Sequence, residues 1–188
     1  MSKVFQKYFI AIVPEGQLQE DVTDLKLQLK EKFNLKYALK SPAHITLKMP
    51  FSWNAAKEDN LKSRLRQFFN QQSGFELRLN GIGKFSRRVI YVKVGGQLAD
   101  LKVLQENLAS TCKANLKLKV ELSDYAYHPH MTLAFKDLKD QFFEEYISFL
   151  RSIGFHDTLE VKEVALLKKE IGRWVVCHRF PLNAAGSK

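Results

Sequence analysis

Tyr127-His128-Pro129-His130-Met131-Thr132-Leu133-Ala134 is the stretch on which the fold turns. From His130 onward, polar and apolar residues alternate with the period of two that a β-strand imposes. Side chains two apart in a strand share a face, with Cα atoms roughly 6.5 to 7 Å apart. His130 and Thr132 therefore project together, and Met131 and Leu133 anchor the strand from beneath. The tetrad occurs a second time as His44-Ile45-Thr46-Leu47. With ordinary residue frequencies, two copies of His-apolar-Thr-Leu arise by chance on the order of once in ten thousand chains of this size. We therefore read the two copies as halves of one site.

Around each tetrad the sequence repeats one rhythm. Val4 to Val13 is rich in β-branched and aromatic residues and closes at Pro14-Glu15-Gly16, which predicts a buried strand. Leu18, Val22, Leu25 and Leu29 recur at helical spacing to about Phe33, and Ser41-Pro42 breaks the pattern before the first tetrad strand. Asn54 is placed to cap a second helix over 55–72, ended by Gly74. Two strands, 75–85 and 89–94, flank the Ser86-Arg87-Arg88 turn. In the second half, Gly95-Gly96 introduces a helix carrying Leu98, Leu101, Leu104 and Leu108, a mixed stretch leads to the second tetrad, and a helix over 142–150 follows. Strands over 161–167 and 174–180 close the pattern around a Lys-Glu-Ile-Gly-Arg turn. The two histidines stand 86 residues apart in 188, with no low-complexity linker between them. This predicts one α+β domain over 1–188, built as two similar αβ lobes around a shared cleft, with 184–188 as a disordered tail.

Composition narrows the class. The longest apolar run near the start, Tyr8 to Val13, is far short of a membrane span or a signal-peptide core, so a soluble, cytoplasmic protein without a membrane partner is expected. Cys112 and Cys177 are too few and too isolated for a disulfide framework or a zinc cluster. Thirty Lys and Arg against twenty Asp and Glu give a net charge of +10, which favours phosphate-bearing partners, although many lysines sit on helix faces where they simply hold the protein in solution. A Gly-x-Ser-x-Gly nucleophile is absent, and Gly81-Ile82-Gly83 lacks the rest of a dinucleotide or P-loop fingerprint.

Two imidazoles and two hydroxyls around one anion suit phosphoester chemistry. Histidine titrates near pH 6.5, so one ring can take a proton from attacking water while the other, protonated, gives one to the leaving oxygen. Threonine hydroxyls can donate to the non-bridging oxygens, where charge must be held in the transition state. None of these roles needs a metal or an organic cofactor.

The residues so far, with the strand Tyr8-Phe9-Ile10-Ala11-Ile12 and the central Arg88-Val89-Ile90-Tyr91-Val92, give nearly the whole chain a resemblance to the 2H phosphoesterase superfamily, which includes the 2′-5′ RNA ligase-like proteins. That resemblance implies a bilobal fold of two pseudo-symmetric αβ lobes with antiparallel sheets, each lobe giving one histidine to a central cleft. It implies hydrolysis of cyclic phosphodiesters, commonly the 2′,3′-cyclic phosphate of an RNA end or nucleotide, and in some members reversible formation of a 2′-5′ linkage. Where bacterial RNA-ligase-like members carry Phe-Leu-Gly after the first tetrad, this chain has Lys48-Met49-Pro50-Phe51 and is similar to a less characterised branch.

These considerations nominate His44, Thr46, His130 and Thr132 as catalytic and a monomer acting on an RNA end or nucleotide. Lys48, read as continuing the His44 and Thr46 face, is a candidate point charge for the phosphate. Arg88 can fork onto a phosphate or merely cap a hairpin. Tyr127 can stack on a base, donate to phosphate, or pack. Phe51, with Trp53, can line a nucleobase pocket or the core. Two rival functions stand beside the first: a non-catalytic RNA or nucleotide-binding protein that keeps the pocket, and a metal hydrolase using His44, His128 and His130. The metal reading is disfavoured because neither motif contains a carboxylate and Pro129 interrupts the strand.

Overall fold

The computed structural model describes residues 4–184, apart from the side chain of Ser123. The expected tail therefore lies outside the described residues except for Ala184. The elements run β1 (Phe5–Ile12), α1 (Gln17–Phe33), β2 (Ile45–Asn54), α2 (Glu58–Phe69), β3 (Phe75–Phe85), β4 (Val89–Gly96), α3 (Leu98–Leu116), α4 (Leu122–Tyr125), β5 (His130–Phe135), α5 (Phe143–Ile153), β6 (His156–Val161), β7 (Glu163–Glu170) and β8 (Arg173–Pro181). No helix among the described residues is long and apolar enough to cross a membrane.

The fold is α+β, as the tetrads and their resemblance predict. Its strands form one sheet in the order β6-β3-β4-β5-β2-β1-β7-β8, with antiparallel pairing between all neighbours. The two expected sheets are thus fused. Four strands lie on each side of a seam where β2 and β5 meet through the single pair Ile45 and Met131. The helices cover one face. Tyr8, Ile10, Ile12, Ile45, Leu47, Met131 and Leu133 point into a core shared with Val22, Leu25 and Leu29 of α1, Leu61 and Leu65 of α2, Leu104 and Leu108 of α3, and Tyr146 and Ile147 of α5. On the opposite face of β1 and β7, Phe9, Ala11, Val13, Ala165 and Leu167 form a smaller cluster with Trp174. Burial of both faces explains why Tyr8 to Val13 is apolar without alternation.

The repeat is β1-α1-β2-α2-β3 followed by β4-α3-β5-α5-β7, but the third strand of each half leaves its own lobe. β3 pairs with β4, and β7 pairs with β1. Helix ends follow local chemistry: α1 stops at Asn34, whose φ of 59° is left-handed and whose N–H reaches the Lys30 carbonyl at 2.8 Å. Three sequence expectations are corrected. Asn54 caps a short 3₁₀ turn (Ala55–Lys57) through Ala56 N–H, and α2 begins only at Glu58 and ends at Phe69. Gly95 and Gly96 end β4, and α3 continues past Leu108 to Leu116. β6 is additional: it is an edge strand pairing only with β3, so just Leu159 and Val161 need be buried and its apolar signal is weak.

Candidate active site

Register builds the site. Ile45 lies opposite Met131 in an antiparallel pair. One step either way along that register sets His44 across from Thr132 and Thr46 across from His130. Ile45 and Met131 are fully buried toward the helices, whereas all four polar residues are half-buried on the other face. The duplicated tetrads thus meet on one side of the seam, related by an approximate two-fold axis through the Ile45–Met131 pair.

Each tetrad also carries a bulge at its leucine. In β2, Ile10 pairs with Lys48 and Ala11 with Thr46, so Leu47 is the extra residue. In β5, Ile90 pairs with Ala134 and Tyr91 with Thr132, so Leu133 is extra. A bulge lets two successive residues face the same way. Leu47 and Lys48 are both buried on the helix side, as are Leu133 and Ala134. This corrects the expected position of Lys48. Its ammonium leaves the His44 and Thr46 face and pairs with Asp124 at 2.5 Å, with both side chains 3% exposed. It also donates to the Lys119 carbonyl at 3.0 Å.

Both histidines are held alike. The Nδ1 atom of His44 lies 2.8 Å from the Pro42 carbonyl, and that of His130 lies 2.8 Å from the His128 carbonyl. A carbonyl only accepts, so Nδ1 carries the proton and Nε2 is the basic nitrogen of each neutral ring. The ring of His44 rests on Phe9 at 5.0 Å, and that of His130 on Phe85 at 4.9 Å and Tyr91 at 5.3 Å. Gly83 makes room for this support, since a Cβ there would collide with the Tyr91 ring. Burial pushes His44 down to about 4 against the pull of the Pro42 carbonyl, helped by the nearby charges of Lys26 and His130. Burial lowers His130 as well, with the His128 carbonyl opposing and the His128 charge assisting. Burial thus favours the neutral form of both rings.

Beside Thr46 and His130 lies a cavity of about 290 Å³, walled by Leu47, Met49, Phe85, Ala126, Tyr127 and His128, with Asp124 in its lining. The Tyr127 hydroxyl is buried and has no hydrogen-bond partner among the described residues, and burial raises its pKa. A buried unpaired phenol costs about 1 to 3 kcal/mol. Asp124 carries no signal in the sequence, because only folding brings α4 against the bulge of β2.

The remaining candidates fall elsewhere. Phe51 stacks on Tyr8 at 6.2 Å on the helix side, where Trp53 also packs, so neither lines the cavity. Arg88 is exposed on the turn between β3 and β4 and has no ion-pair partner among the described residues. Its neighbour Arg87 is tied to Asp140 and Glu144. Among the described residues, no three His, Cys, Asp or Glu side chains are placed to share a metal ion.

Comparison with known proteins agrees with this fold. Residues 14–173 match the 2′-5′ RNA ligase superfamily. A Bacillus pumilus protein named "Putative phosphoesterase" is 28% identical over 184 residues, covering 96% of this chain and 99% of its own. The fold is similar to that of TT0787 of Thermus thermophilus, with a TM-score of 0.68 at 16% identity over 95% of this chain and 99% of the other. It is also similar to that of E. coli LigT complexed with 3′-AMP, with a TM-score of 0.61 at 20% identity over 95% and 99%.

Proposed function

Because the chain belongs to the 2′-5′ RNA ligase superfamily, we propose that it is a metal-independent phosphoesterase opening cyclic phosphodiesters, with the 2′,3′-cyclic phosphate of an RNA end or nucleotide as substrate. The observation that carries this reading is the antiparallel crossing at Ile45 and Met131, which sets two imidazoles and two threonines around one point on an open face. E. coli LigT has been solved with 3′-AMP and with phosphate, which supports a nucleotide phosphate as the ligand class.

The phosphate sits between the strands, with Thr46 and Thr132 donating to its non-bridging oxygens. Nε2 of one histidine accepts a proton from water as the new P–O bond forms. Nε2 of the other, protonated, passes its proton to the ribose oxygen as the old P–O bond breaks. The group attached to the phosphate is held in the adjoining cavity, with Tyr127 in its wall. The same steps in the same direction, with the 5′-hydroxyl of a second ribose in place of water and the 3′-oxygen leaving with the proton, form a 2′-5′ linkage.

The test is incubation with a 2′,3′-cyclic nucleotide in excess chelator. Hydrolysis to a single phosphomonoester is expected, and strict dependence on added metal overturns the mechanism. The pH profile has a predictable sign. Both histidines titrate below the ordinary value, His44 at about 4, and turnover requires one of them protonated. The kcat/KM is therefore expected to peak on the acid side of neutrality and to fall about tenfold per pH unit above it. It declines again only as His44 also protonates, and a profile rising through pH 8 contradicts the assignment.

A further inference from the structure

Behind the loop carrying His44 lies a second cavity of about 210 Å³, lined by Lys26, Lys40, Ser41, Pro42, Arg173 and Trp174. It abuts the site. The Pro42 carbonyl bonds His44 Nδ1, and Trp174 stands edge-on to Phe9 at 4.8 Å while Phe9 supports the His44 ring. Its rim gathers cations and aromatics. Lys40 and Lys136 lie 4.5 and 4.7 Å from the Tyr37 ring, and Lys169 lies 5.7 Å from that of Trp174. The Tyr37 hydroxyl accepts from Lys136, and that bond foremost, with the charges of Lys40 and Lys169, lowers its pKa.

Among the described residues, Lys40, Lys136, Lys169 and Arg173 form no ion pair with a carboxylate. Of the acids in the same segments, Asp137 accepts the Lys36 and Tyr37 backbone N–H groups through Oδ2 while its buried Oδ1 has no hydrogen-bond partner among the described residues, and Glu170 faces Lys168. Behind the cavity, Lys26 is 2% exposed and donates only to the carbonyls of Ala38 and Ser41, so its positive charge is uncompensated. A cationic concavity with interleaved aromatic faces is the footprint of single-stranded nucleic acid, whose phosphates meet Lys and Arg while its bases stack.

We propose that this cavity and its lysine rim form a second nucleotide site on the His44 flank of the cleft, binding the nucleotide next to the reacting phosphate in a single-stranded RNA end. Trp174 offers the stacking face, and Arg173 and Lys40 meet the phosphate. The proposal rests on the phosphoesterase reading above and narrows its substrate from a free nucleotide to an RNA chain.

The experiment compares a 2′,3′-cyclic mononucleotide with a short single-stranded RNA bearing the same cyclic end, using the full chain and the double variant Lys40→Ala/Arg173→Ala. The loss in kcat/KM on RNA is expected to exceed that on the mononucleotide by about 10- to 100-fold, the range of charge-assisted hydrogen bonds to a phosphate. Equal losses on both, or none, overturn the proposal. A binding arm separates this failure from failure of the catalytic reading. Fluorescence anisotropy with labelled RNA lacking the cyclic end is expected to show salt-sensitive binding that persists in His44→Ala and weakens at least tenfold in the double variant. Undiminished binding in the double variant, or binding to anionic vesicles with none to RNA, overturns it.

Discussion

Replacing either His44 or His130 by Ala is expected to reduce hydrolysis of a 2′,3′-cyclic nucleotide by about 10²- to 10⁴-fold, the usual yield of a positioned acid or base. The two losses should be of the same order. Each imidazole is fixed by the same Nδ1 bond to a carbonyl two residues back, each rests on an aromatic ring, and each faces a threonine of the other lobe. Because both rings act in one step, the double variant is expected to lose little more than the worse single one. Steady-state rates in excess chelator check this, with circular dichroism showing that the variants remain folded. Turnover within threefold of the parent in either variant removes that histidine from the reaction.

The second large effect concerns stability. Lys48→Met is expected to cost about 3 to 5 kcal/mol, because it strands the Asp124 carboxylate in an interior site with no counter-charge. Asp124→Leu should cost a similar amount by stranding the ammonium. The paired change Lys48→Met/Asp124→Leu is expected to recover a substantial part, since both desolvated charges then disappear together. Recovery will be incomplete, because the Glu121 N–H and the Lys119 carbonyl each lose a partner. Urea midpoints give the three values directly. A double variant no more stable than the worse single one shows that the pair does not act as a unit. The ion pair also pins α4 and the segment leading to Tyr127 against β2, so each single variant is expected to weaken nucleotide binding as well.

What could be read from the residues divides along a physical line. The tetrads, the strand from Tyr8 and the helix of Leu18, Val22, Leu25 and Leu29 declare themselves through local periodicity, and the duplication of the tetrad points to a shared cleft. What escaped was decided by contacts distant in the chain. The bulge at Leu47 exists only against β1, so alternation alone carried Lys48 to the wrong face. Phe51 has the chemistry of a pocket lining, yet Tyr8 across the strand pair claims it. Asp124 looks like any acid of a mixed stretch until α4 docks. β6 carries too few apolar residues to signal a strand, because its register is dictated by β3.

The crossing of β3 and β7 into each other's lobes has a consequence for how the molecule can be made. During synthesis the lobe holding β1 and β2 must wait for β7 and β8, which are translated after every other strand, and its hydrophobic face stays incomplete until then. The other lobe, with β3, β4, β5 and β6, has all its strands by Val161. The lobe that begins first is therefore finished last, and severing the chain between the two halves leaves neither piece with a whole sheet.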